Sequence, residues 1–97
     1  MDRTKKPDTD EKLKSETEKW LAKLEERMAN TRLVKGSLES KVLGNAMENV
    51  SAYIKDCHHF LENKDYFNAF EAVIYAYGIW ETLERCGFIV TKRDAIE

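Results

Sequence analysis

A chain of 97 residues is enough for one small domain, which hides only about 60–65 % of the surface its unfolded form exposes. A hydrophobic share of 42 % beside 35 % charged residues, with four Gly and one Pro, points to a few long helices rather than many short strands. The net charge of −2 divides into ten Lys/Arg against eight Asp/Glu before Leu38 and six against ten from there on. No basic excess marks a nucleic-acid face, and no apolar run approaches the ~18 residues of a membrane span.

The chain opens on a polar leader, residues 1–7, in which Arg3, Lys5 and Lys6 read as a flexible, solvated tail. It lacks the apolar core of a signal peptide, so the protein is expected to be cytoplasmic, with Cys57 and Cys86 reduced. Pro7, followed by Asp8 and Glu11 in capping-box spacing, predicts a first helix from Asp8 or Thr9. Its apolar positions, Leu13, Trp20, Leu21, Leu24 and Met28, form a seam about 100° wide, and Asn30 closes it. Residues 31–36 then read as a loop, with Leu33 and Val34 free to fold over the bundle end.

Ser37, directly after Gly36, predicts the start of a second helix. Leu43, Met47, Val50, Ile54, Cys57 and Leu61 continue the alternating four-and-three spacing of an a/d seam, flanked by Ala46, Tyr53 and Phe60. Gly44 falls on the exposed side. The helix stops in Glu62-Asn63-Lys64, and Asp65 caps a third helix running from Tyr66 to about Cys86. Gly87 is the expected left-handed end residue, with Phe88 packing back on the last turn. Phe88-Ile89-Val90 favours a strand but has no evident partner.

The third helix is unusual. Its apolar side chains cover roughly 240° of circumference, far more than the ~100° stripe of a surface helix. Asn68, Glu71, Tyr75, Gly78 and Thr82 occupy the narrow remainder. Two neighbouring helices cannot cover such an arc, so surface near Ala72, Ala76, Ile79 and Leu83 is expected to meet a second copy or the folded-back tail. The second hairpin is expected to pair Met47 with Trp80, Val50 with Tyr77, Ile54 with Ile74 or Val73, and Leu61 with Phe67. Together the periodicities predict an all-α protein: a three-helix up-and-down antiparallel bundle over residues 8–90, with a tail at 91–97.

No constellation for a reaction stands out. In Cys57-His58-His59 the cysteine lies on the apolar seam while the histidines point about 100° and 200° away. His58 and Glu62 make only a two-ligand surface pair, so no metal site is expected. Cys57 and Cys86 are expected about 20 Å apart along the helix axis, too far for a disulfide. Glu71 and Tyr75 share a face, but Glu81 points away, which does not make an acid–base set. No phosphate-binding loop, nucleophile elbow or catalytic triad is present, and no cofactor is expected. Gly78 carries most interest, because a glycine inside a helix costs ~1 kcal/mol and suits close approach of another backbone or a ring.

Asp65, the run Asn68-Ala69-Phe70-Glu71-Ala72, then Tyr75-Ala76-Tyr77-Gly78 and Gly87 resemble the C-terminal signature of DUF357, a family of small, mostly archaeal proteins of unknown function. The match covers about residues 65–87. Ile79-Trp80-Glu81 departs from the pattern, with the tryptophan one place later and Glu in place of Asp. The resemblance implies a bundle similar to the albumin-binding-domain class and brings no activity. Some relatives join this module to a nucleotidyltransferase-like domain, which implies accessory or small-molecule-binding work as one alternative. The expected role is a non-catalytic interaction module that forms a homodimer or docks on a protein partner. Its candidate surface is Asn68, Glu71, Ala72, Tyr75, Ala76, Gly78, Ile79, Glu81 and Leu83, with no nucleic acid or membrane involved.

Overall fold

Asp65 and Gly87 delimit the helix on which the rest of the chain packs. The computed structural model describes residues 5–36 and 38–92, with side chains from Thr9 onward. It contains α1 (Lys5–Ala29), β1 (Thr31–Leu33), α2 (Ser40–Glu62), α3 (Tyr66–Arg85) and β2 (Ile89–Thr91). At the start of α3 the Asp65 carboxylate accepts the Asn68 backbone N–H at 3.3 Å and its side-chain amide at 2.7 Å. At the other end the Phe88 N–H bonds to the Leu83 carbonyl and the Gly87 N–H to the Glu84 carbonyl, both at 3.0 Å. That pair of bonds needs a left-handed residue, which Gly87 supplies at φ 78°.

The core lies along α3 in two parts. Leu21, Cys57, Ala69, Ala72 and Val73 bring the three helices together at one end. Leu24, Leu43, Val50, Ala76, Trp80, Leu83 and Ile89 fill the other. The order of these contacts makes α1 parallel and α2 antiparallel to α3, the up-and-down arrangement expected. Both outer helices pack chiefly on α3. Thr17, a polar residue, is fully buried and continues the seam between Leu13 and Leu21.

Several boundaries differ from expectation. α1 begins at Lys5, so Pro7 sits inside its first turn, where the missing N–H has no helical partner to lose. The start of the leader, residues 1–4, lies outside the described residues, as do residues 93–97 of the tail. Ser37, the expected cap of α2, also lies outside them. α2 begins three residues later, with Glu39 at the cap position and its carbonyl accepting the Leu43 N–H at 3.0 Å.

The largest difference is a short sheet. Thr31, Arg32 and Leu33 pair antiparallel with Thr91, Val90 and Ile89. The ladder continues through Val34 N–H to the Phe88 carbonyl at 3.0 Å and Lys92 N–H to the Asn30 carbonyl at 2.6 Å. Segments expected as a loop and an unpartnered strand are therefore each other's partners. Ile89, 1 % exposed, closes the core end from beneath this ribbon.

The hairpin register is close to that expected. Met47 and Trp80 share a cluster, Ile54 packs near Val73, and the Tyr53 and Tyr75 rings lie 5.4 Å apart. Tyr77 packs against the cluster that holds Val50 and also meets α1, its ring edge-on to Trp20 at 5.1 Å. Phe67 departs from expectation: it is 69 % exposed.

Both cysteines are free, Cys57 buried in the core and Cys86 exposed. Burial, helped by the nearby Glu25 charge, pushes the Cys57 thiol up to about 11. Folding thus favours the neutral thiol. Its contribution to stability is complete below the ordinary value of 9.0 and is lost as pH rises through about 11. A thiol reagent at pH 8 is expected to modify Cys86 promptly and Cys57 only after denaturant is added. Rapid modification of both in folded protein would contradict this packing.

Candidate functional site

Because α1 and α2 cover two sides of α3 and β2 covers its end, one long strip of the helix stays open. The predicted candidate residues divide sharply across this boundary. Ala72, Ala76 and Leu83 are 5 %, 0 % and 6 % exposed and belong to the chain's own core. They are not available to a partner, and Ala76→Arg would break the core rather than separate a dimer. Ala72 is covered by Leu21 and Cys57 of the outer helices, and Ala76 and Leu83 by Leu24, Leu43 and Val50 together with Ile89 of the folded-back tail. Ile79 is half-buried against the same cluster. Asn68 is engaged with Asp65 at the helix start.

Glu71, Tyr75 and Gly78 do lie on the open strip, together with Phe67, Ile74 and Thr82. The apolar arc was too wide for its neighbours, as its width implied, but the surplus falls on Phe67 and Ile74 rather than on the alanines. Sequence periodicity could not assign it, because Ile74 and Val73 are equally apolar and only packing decides which turns inward. Tyr75 is 51 % exposed; its ring leans on Tyr53 and its hydroxyl donates to Glu71 Oε2 at 3.4 Å. Glu81, at the edge of the strip, is 4.0 Å from the Arg85 guanidinium.

Gly78 sits at the middle of the strip. A Cβ placed there would have nothing within 4 Å, so among the described residues no packing calls for glycine. Two open grooves meet at it. One, about 490 Å³, is lined by Ile74, Tyr75, Gly78, Ile79, Thr82 and Leu83. The other, about 380 Å³, is bounded by Trp20, Lys23, Ile74, Tyr77, Gly78 and Glu81. Trp20, placed by its periodicity on the apolar seam of α1, is half-buried and forms a wall of this groove, with the Lys19 and Lys23 ammonium groups 5.3 Å and 5.1 Å from its ring centroid. Gly78→Ala is expected to raise monomer stability by about 0.5–1 kcal/mol in dilute denaturant titrations. A destabilised variant would reveal an unseen close approach.

Beside the strip, Arg27 Nη1 donates to the Tyr77 hydroxyl and Nη2 to Glu84 Oε1, each at 2.6 Å. Burial alone would lower the Arg27 pKa; the Tyr77 hydrogen bond and the Glu84 charge outweigh it and raise it. Glu84 Oε2 accepts from Thr91 Oγ1, which also meets Thr31 Oγ1 at 2.8 Å. This polar group ties α1, α3 and both strands together. His58 Nε2 lies 3.0 Å from Glu25 Oε2, joining α2 to α1 rather than meeting Glu62. Among the described residues no three His, Cys, Asp or Glu side chains converge as a metal site would require. No described helix is long and apolar enough to cross a membrane.

No curated protein matches the chain. It is similar to the crystal structure of a protein from Archaeoglobus fulgidus, assigned to DUF357. The two share 33 % identity over 87 % of this chain and 99 % of that one, with a TM-score of 0.70. The family model for DUF357, described as a protein of unknown function, matches residues 19–89. That span takes in the second part of α1, all of β1, α2 and α3, and the first residue of β2; the chain therefore belongs to the DUF357 family.

Proposed function

We propose that the protein is a non-catalytic helical interaction module that docks on a protein partner, or on itself, through the open strip of α3. The observation that supports this most directly is Gly78: a helix-weakening residue, in open space, on the same strip as exposed Phe67, Ile74 and Tyr75. A glycine that no described residue requires is explained by something that approaches from outside. The grooves on either side are apolar and open, which suits a helix face better than a small molecule. Ligand sites are usually concave and bury most of the ligand. The second reading, an accessory or small-molecule-binding domain serving a nucleotidyltransferase-like enzyme, rests only on what the family resemblance implies.

A photo-crosslinking residue placed at Ile74, on the strip, and at Lys55, on the exposed side of α2, separates these readings. In a lysate of its own cells the Ile74 probe is expected to give a discrete protein adduct and the Lys55 probe none. Equal labelling from both positions, or no adduct from either, would sink the docking reading. Retention of a nucleotide or other small molecule on the purified protein, lost on Gly78→Arg, would favour the accessory role.

A further inference from the structure

We infer that the partner of the open α3 strip is a second copy of this chain, packed antiparallel across a two-fold axis that passes through Gly78. The inference rests on the docking reading and goes further by naming the occupant and its register. Glu71, Gly78 and Arg85 are spaced by seven residues, so they line up within about 20° of one another per step on the same face. Glycine stands at the centre, an acid lies one heptad before it, and a base lies one heptad after.

Such a stripe is self-complementary in only one orientation. When two copies cross antiparallel at Gly78, Glu71 of each meets Arg85 of the other, giving two symmetry-related ion pairs. A parallel arrangement would set Glu71 against Glu71 and Arg85 against Arg85. The same antiparallel register places Ile74 opposite Thr82 and Tyr75 opposite Glu81, with the two glycines face to face. Both charged groups are available. The Arg85 side chain is 78 % exposed and reaches Glu81 only at 4.0 Å, while exposed Glu71 accepts a 3.4 Å bond from Tyr75. The absent Cβ at Gly78 lets the backbones approach, and exposed Phe67 and Ile74 supply apolar area along the same strip. A closed two-fold dimer uses one patch twice, which is what a patch with opposite charges at its two ends allows.

Sedimentation velocity of the full chain, from low micromolar to near-millimolar concentration, tests this. The wild type is expected to show a concentration-dependent dimer. Glu71→Arg or Arg85→Glu alone is expected to raise its dissociation constant about tenfold or more by creating like-charge contacts. The double variant Glu71→Arg/Arg85→Glu restores the pairing and is expected to return the constant to near the wild-type value. Gly78→Arg is expected to give a folded monomer by circular dichroism, because a Cβ there has no described atom within 4 Å and the side chain can extend into the open grooves. A wild type that stays monomeric throughout overturns the inference. So does a dimer that tolerates Gly78→Arg, or a double reversal no better than the singles. If the protein is monomeric and the Ile74 probe still captures another protein, self-pairing is wrong while the docking reading stands. If neither occurs, both fall.

Discussion

Truncation of Leu24 to alanine is expected to lower stability by about 3–5 kcal/mol, the range for a leucine whose surroundings cannot collapse. Leu24 is 0 % exposed and sits where α1, α2 and α3 meet the strand Ile89, so every wall of the resulting cavity is braced by a different element. A domain of this size has only about 5–15 kcal/mol in total. At about 4–8 °C per kcal/mol, the melting temperature should fall by roughly 15 °C or more. Phe67→Ala removes a larger side chain but from a position 69 % exposed, and is expected to cost little in dilute solution. Urea titrations of the two variants check the contrast. If Phe67→Ala proved the more damaging, the core assignment would be wrong.

Glu84→Ala should have the second-largest effect, about 2–3 kcal/mol. Breaking a fully buried ion pair costs about 3–5 kcal/mol, and here the Arg27 and Glu84 side chains remain 24 % and 12 % exposed. The variant leaves Arg27 with Tyr77 alone and removes the acceptor of the Thr91 hydroxyl. Its damage should therefore spread to the ribbon. Hydrogen exchange at the Val34 and Lys92 amides, which bridge the two strand segments, is expected to speed up more than exchange in α2. Replacing both partners by apolar residues, Arg27→Met with Glu84→Leu, is expected to recover part of the loss, because no charge is then left unpaired. A double variant worse than Glu84→Ala would contradict that account.

Local chemistry made the helices legible. Asp65 and Gly87 mark the ends of α3 because a carboxylate that caps and a residue that reaches positive φ do their work within a few residues of chain. The seam of Leu43, Val50 and Cys57 is likewise a repeat along one helix, and all three are buried as the spacing requires. The up-and-down order follows from such seams joined by short connections, and the resemblance over residues 65–87 pointed to the family whose model extends over residues 19–89.

The surface, the ribbon and the polar tie were decided by tertiary structure. A three-residue strand shows no period of its own, so Thr31–Leu33 becomes a strand only because Ile89–Thr91, nearly sixty residues away in sequence, lies beside it. Arg27 and Glu84 each read as ordinary helix charges until the parallel packing of α1 on α3 brings them together. Thr17 looks polar in sequence and is buried because its place on α1 faces the hairpin. On α3 the total width of the apolar arc was a property of the sequence. Which part of it stays outside was not. Neighbouring apolar residues such as Val73 and Ile74 differ by 100° about the helix, and the direction from which α1, α2 and the tail approach selects Val73, Ala72 and Ala76 for the core and leaves Phe67, Ile74 and Gly78 in the open.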